Sequence, residues 1–298
     1  MHITPQSSSN HPHTGRSLFE QGLKHVEPCR AKLALFDIDG TLRNKHGVVS
    51  VGVREALSSL RDSGCAIGFA SGRPLFSAFP MLSDLGINSL SILMAGGVVA
   101  RPDGSVLWSS GMKSSEASAL VEGARRLKLD LELITTTDYF TERESDLLAI
   151  HASYHPKRSQ HVEDLLKIAD SEPVIKASII IDPSAGLEGL EELRRALPEL
   201  NFTVAHGAAH PDLYFVNVNS SETSPLKALE VLLREQNLRA SDVISFGDGE
   251  SDIPLLSTVG TSVAMENANE KVKRSAQWVT KSVEEDGVAA AIRELFNL

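Results

Sequence analysis

The chain has 298 residues, with 39 acidic and 29 basic side chains and a formal net charge of −10. Hydrophobic residues make up 42% and charged ones 23%, which excludes a disordered, collagen-like or coiled-coil chain and is enough for a full core without staples. The acidic balance argues against a dedicated nucleic-acid binder, which needs a basic face, and against attraction to anionic membranes. Cys29 and Cys65, the two cysteines, cannot form a disulfide framework and read as reduced thiols. No apolar run reaches the ~20 residues of a bilayer span. The polar start, with His2, His11, His13 and His25, has no apolar stretch of the signal-peptide kind. Residues 1–30 therefore read as a mobile extension, and the cytoplasm is the expected location.

From Ala31 onward the pattern is ordered. KLALFDIDG is a short apolar run ending in acid and glycine, which predicts a buried parallel strand and a loop. Ser50 caps a helix over 51–63, closed by Gly64. CAIGFASG predicts a second buried strand, residues 75–85 a helix, and SILMAGG a third strand. This alternation predicts an α/β fold with a doubly wound parallel sheet, whose ligands sit at the carboxyl ends of strands. Asp37, Asp39 and Ser71 fall at those ends.

After Gly97 the texture changes. RPDGSVLW predicts a hairpin turning at Asp103–Gly104. Helical stretches near 115–127, 159–169 and 186–197 alternate with apolar runs such as VIKASIIID. Residues 98–212 read as an inserted α+β domain, which leaves 31–97 and 213–298 as one interrupted core. The parallel texture returns with a helix near 225–236 and the strand DVISFGDGESD, again ending in carboxylates.

FDIDGT carries the strongest chemical signal. Asp37 and Asp39 just past a strand end repel each other unless a cation relieves them. Hard oxygen ligands select Mg²⁺ over a soft metal. Gly40 lets backbone N–H groups approach an anion closely. In GDGESD, Asp248 and Asp252 are four apart and face one side if a helical turn begins there.

These motifs resemble the haloacid dehalogenase-like hydrolase superfamily, and most of all its Cof-like phosphatases, which carry a cap inserted between the second and third motifs. FDIDGTL, FASGRP and GDGESDIPLL carry the likeness over about 32–298, with VAMENA and EEDGVA as further pieces. The resemblance implies a Rossmann-like core, a cap, and hydrolysis of a small phosphorylated metabolite through an aspartyl-phosphate. Sugar phosphates and phosphorylated cofactors are the implied substrate classes. It implies Asp37 as nucleophile and Asp39 as acid and base. Asp37, the Asp39 carbonyl and Asp248 would hold Mg²⁺, with Asp252 either touching the ion or supporting those ligands. Gly40, Thr41, Ser71 and Gly72 would bind or orient the phosphate. A phosphotransferase or phosphomutase with the same nucleophile stays open, as does a catalytically weak binding or regulatory protein.

The third motif departs from the family. Anchoring NSSETSPLKALEVLL on Ala228, Leu229 and Leu232 puts Pro225 where a lysine is usual, with Lys227 two positions later. That rotates the cation ~200° about the helix. A cation in the first helical turn is disfavoured by the dipole, which favours a phosphate-binding role for Lys227, with Arg73 or Lys45 as substitutes. Ser251 and Ala95 stand where the family usually has asparagine. The pairs His206/His210, followed by Asp212, and His151/His155 have metal-like spacing but read as cap histidines, the first in a loop. Residues 135–139 are a weaker substrate-contact candidate, Trp108 reads as packing, and Glu284, Glu285 and Asp286 as a solvated turn.

Overall fold

The computed structural model describes residues 15–19, 28–207 and 210–298. All four side chains of Leu33–Phe36 are buried, because this strand lies inside a sheet covered on both faces. The sheet runs in the order Arg16–Ser17, Trp278–Val279, Thr261–Ala264, Val243–Gly247, Leu33–Phe36, Ala66–Phe69, with every neighbouring pair parallel. Ala34, Phe36, Ile67, Phe69, Ile244 and Phe246 pack on one side against the helices Val51–Asp62 and Gly287–Phe296. Leu33, Leu35 and Val243 pack on the other against Pro225–Glu235. This is the expected doubly wound α/β core.

Local signals explain several boundaries. The Ser50 side chain accepts from the Val53 N–H at 3.1 Å and starts the first helix. Ser224 caps Pro225–Glu235, with proline at the first helical position. The hairpin at Asp103–Gly104 joins Val98–Ala100 to Val106–Ser109. It pairs with Ser91–Leu93, and Val99 and Trp108 pack with the core cluster around Leu33 and Leu229. The expected third strand is short: after Leu93 the chain turns through Met94–Gly96, with Met94 and Ala95 at φ +55° and +56°.

A second, six-stranded sheet runs Leu200–Gly207, His210–Ser220, Lys176–Ile181, Asp130–Ile134, Tyr139–Thr141, Gln160–His161. Its apolar face packs on the helices Ser114–Leu127, Leu165–Ser171 and Pro183–Ala196. This is the inserted α+β cap. The helix expected over 159–169 is divided. Gln160–His161 pairs with Phe140–Thr141, and Asp164 then caps a helix that begins at Leu165. The helix expected from 186 begins at Pro183, because Asp182 accepts from the Ser184 N–H at 2.9 Å. The segment read as a loop around His206 and His210 belongs to two long antiparallel strands.

Within the expected extension, Arg16–Ser17 forms the edge strand beside Trp278–Val279 and Leu18 is buried. His2, His11, His13 and His25 lie outside the described residues. Cys29 and Cys65 are both free. Among the described residues no helix is long and apolar enough to cross a membrane.

Candidate active site

Three neighbouring parallel strands end at one edge of the core sheet. Val243–Gly247 leads to Asp248, Leu33–Phe36 to Asp37, and Ala66–Phe69 to Ser71. The Asp37 N–H still donates to the Phe246 carbonyl at 3.0 Å, which anchors this residue to the sheet. Beyond it the chain tightens: the N–H groups of Leu42 and Arg43 donate to the Ile38 carbonyl at 3.0 and 2.7 Å.

Gly40 sits at φ +88°, and a Cβ there would lie 2.2 Å from Asp248 Oδ2. Both the left-handed backbone and the close approach require glycine. The adjoining Thr41 hydroxyl donates to Asp248 Oδ1 at 2.8 Å. Asp252 is buried, and its Oδ2 accepts from the N–H groups of Asp248 and Gly249 at 3.0 and 2.9 Å. Thus Asp252 builds the turn that carries Asp248.

Asp37, Asp248 and Asp252 each offer a carboxylate oxygen, and these oxygens lie within 4.8 Å of one another. The cost shows in their acidities. Burial, then the charges of Asp252, Asp248 and Asp39, holds Asp37 well above the ordinary carboxylate range. Burial pushes Asp248 up to about 6 against the lowering bond from Thr41, with the Asp39 charge adding to it. Burial raises Asp252 to about 7, opposed by the Gly249 N–H and reinforced by Asp248. Crowded, desolvated carboxylates with all-oxygen donors fit a hard divalent cation.

The Asp39 side chain is not part of that group and is solvent-exposed. Arg73 holds it through Nε and through Nη2, the latter 2.8 Å from Oδ1. Arg43 Nη1 stands 3.6 Å from the same oxygen. Ser71 is buried, and Gly72 beside it is exposed. Lys227 is not brought into the site. Its ammonium donates to the Glu222 carbonyl at 2.9 Å and to Glu222 Oε2 at 3.0 Å on the surface. Pro225, at the usual lysine position, packs against Gly96, where a Cβ would lie 2.4 Å from the Pro225 nitrogen.

Four side chains were not singled out for the roles their contacts indicate. Asn267, inside VAMENA, donates to the Gly40 carbonyl at 2.9 Å and to Asp248 Oδ2 at 3.3 Å. Arg73 and Arg43 both serve Asp39. Lys176 lies in the cap strand, and its ammonium reaches the Gly72 carbonyl at 3.2 Å. A charged side chain inside the apolar run VIKASIIID was the available signal, because an unpaired lysine is almost never fully buried.

The cap meets the core beside this loop. Tyr139 stacks on Phe76 with ring centroids 5.4 Å apart, and His155 meets both rings edge-on. Glu132, His151 and His155 form a second group with ligating atoms within 4.8 Å of one another. In it His151 Nδ1 is 2.6 Å from Glu132 Oε2. Burial, with the charges of His151, Lys176 and Arg73, lowers His155 to about 3, so its ring is neutral.

Comparison with known proteins agrees with this geometry. A family model described as haloacid dehalogenase-like hydrolase matches residues 34–292. The chain is 25% identical over 284 residues to the Bacillus subtilis 5-amino-6-(5-phospho-D-ribitylamino)uracil phosphatase YwtE, covering 89% of this chain and 98% of that protein. It is 26% identical over 243 residues to the HMP-PP phosphatase of Cronobacter sakazakii, covering 80% and 85%. A crystal structure of a haloacid dehalogenase-like hydrolase from Bacteroides thetaiotaomicron superposes with a TM-score of 0.79 at 27% identity, covering 89% of this chain and all of the other.

Proposed function

The chain belongs to the haloacid dehalogenase-like hydrolase family, a phosphatase by its relatives, and on that premise we propose a Mg²⁺-dependent phosphomonoesterase acting on a small phosphorylated metabolite. The observation that carries this reading is the convergence of Asp37, Asp248 and Asp252 within 4.8 Å, beside Asp39 and the loop Ser71–Gly72. Relatives named for a phosphorylated ribitylaminouracil and for HMP-PP support the substrate class. The insert acts as the cap, and its sheet, built from strands between Asp130 and Ser220, runs past the boundary read at 212, while the hairpin Val98–Ser109 stays with the core.

In this reading Asp37 is the nucleophile. Its carboxylate oxygen forms a bond to phosphorus as the bond to the leaving oxygen breaks. Asp39, the carboxyl outside the acidic group, gives the leaving alcohol its proton and later takes one from the attacking water. Arg73 and Arg43 hold that side chain in place. The Ser71 hydroxyl and the Gly72 N–H donate to phosphoryl oxygens, and Gly40 admits backbone donors on the opposite side. Thr41 and Asn267 fix Asp248. Asp37, the Asp39 carbonyl, Asp248 and Asp252 would hold Mg²⁺. The bound ion supplies positive charge that lets an anionic nucleophile meet an anionic substrate.

The test is phosphate release from a panel of phosphorylated metabolites, with Mg²⁺ and with EDTA. Mg²⁺-dependent release from one or a few compounds is expected. A folded protein that releases no phosphate and binds no Mg²⁺ overturns the reading.

A further inference from the structure

Lys176 opens the cap strand Lys176–Ile181. Side chains alternate across a strand, so Ala177, Ile179 and Ile181 join the apolar cluster on the helices. Lys176 and Ser178 take the opposite face. Ser178 pairs with both Glu132 and Asn217, so these two share that face. Around Lys176 and Ser178 it is polar and yet buried, whereas Ile180 and Phe215 farther along it are apolar: Glu132 is fully buried, and Lys176 is only 4% exposed. A buried polar face of this kind is costly unless something completes its bonding.

The ammonium of Lys176 donates to Asn217 Oδ1 at 2.6 Å and to the Gly72 carbonyl at 3.2 Å. Both acceptors are neutral, and an ammonium has three donors. The neighbouring carboxylate, Glu132, meets His151 through Oε2 and acts on Lys176 through its charge without a hydrogen bond to it. A buried cation without a bonded counter-ion is therefore pressed against the loop that presents Ser71 and Gly72. By peptide dimensions, the Gly72 N–H is within about 7 Å of that ammonium.

Among the described residues, no lysine or arginine of the core is buried as Lys176 is, and Lys45 lies exposed. Pro225 occupies the place of the expected lysine, and Lys227 is held by Glu222. Arg73 and Arg43 are committed to Asp39. Resting on the phosphatase reading above, we propose that Lys176, brought in by the cap, is the cation that binds the transferred phosphoryl group. Phosphate binding then depends on the cap being docked, because this charge is carried by the other domain.

A substrate could also present Lys176 with a second anionic group. Inorganic phosphate separates the two sources, since it has no leaving group. Burial lowers Lys176 to about 8, with the Glu132 charge opposing. The other titratable or charged groups around it are Glu132, His151 and His155 on the cap and Arg73 on the core. Neutral His155 does not titrate near pH 8.

The experiment uses the full chain, Mg²⁺, p-nitrophenyl phosphate as substrate and inorganic phosphate as competitive inhibitor. Lys176→Met should raise the phosphate Ki and lower kcat/KM, each by at least about tenfold. Lys176→Arg should return Ki to within about threefold and move the alkaline limb of the pH profile from near 8 to above about 9. Lys227→Ala should leave Ki within about twofold. A Lys176→Met protein with native circular dichroism and a phosphate Ki within about twofold of the parent overturns the proposal, whatever its turnover. If Lys176→Met does not fold, an Lys176→Arg protein with an unshifted alkaline limb overturns it instead. Failure of the phosphatase reading shows separately, as no Mg²⁺-dependent hydrolysis by the parent; calorimetric binding of inorganic phosphate then carries the same comparison.

Discussion

Replacing Asp248 by asparagine should stabilise the metal-free fold while removing its response to Mg²⁺. Asp248 is raised to about 6 from an ordinary 3.8, so its ionised form is disfavoured in the folded state by about 3 kcal/mol. Between those two values the folded state binds more protons than the unfolded chain. Stability therefore falls as pH rises from about 4 to 6 and stays lowered above that. Asparagine keeps an oxygen for the Thr41 hydroxyl but presents an N–H₂ group where Asn267 now donates, which offsets part of the gain. The net effect at pH 8 in EDTA is a stabilisation of about 1–3 kcal/mol, or roughly 2–10 °C in melting temperature for a protein of this size. At pH 4 most of the advantage disappears. Excess Mg²⁺ should raise the parent's melting temperature by mass action and leave the variant nearly unchanged. Thermal unfolding by circular dichroism, with EDTA and with Mg²⁺, checks both arms. A variant that melts at or below the parent in EDTA at pH 8 refutes the electrostatic reasoning.

Asp37→Asn changes little volume and should leave the fold intact, its metal-free form no less stable than the parent, while lowering phosphate release by at least about 10³-fold; comparable release from that variant would sink the nucleophile assignment. Gly40→Ala places a methyl 2.2 Å from Asp248 Oδ2 at φ +88°, so it should cost at least about 2 kcal/mol in urea unfolding and weaken Mg²⁺ binding measured by calorimetry. Ala95→Asn suits a left-handed backbone, φ +56° and ψ +35°, and should stabilise by about 0.5–1 kcal/mol in the same assay.

What could be read in advance was local. FDIDGT holds a nucleophile candidate, an acid and the glycine within six consecutive residues, and the strand before it positions all of them at once. Ser50 and Ser224 announced their helices because a cap is decided within three residues. Ala95 was noticed as a departure from the usual asparagine, and the structure supplies the reason: a left-handed position that asparagine tolerates better. Helix boundaries slipped where capping competed with periodicity, as at Asp164 and Asp182.

The cation was harder to place because its partners are remote in sequence. Lys227 sits in the right helix, but Glu222 lies five residues before it and takes the ammonium. Lys176 meets Gly72 across 104 residues of chain and across the domain boundary, where no local pattern can register the contact. Its strand reads as an apolar core segment because Ala177, Ile179 and Ile181 are core residues. Only the ladder, which aligns Ser178 with Glu132 and Asn217, shows that the intervening positions form a buried polar wall. Such buried charges need partners, and Lys176 finds one of its own in the Gly72 carbonyl. On the proposal above, one phosphate site is spread over two domains: the core contributes N–H donors and the metal-holding carboxylates, and the cap contributes the Lys176 ammonium. Docking of the cap on the core and binding of an anion then favour each other, since each improves the electrostatics of the other.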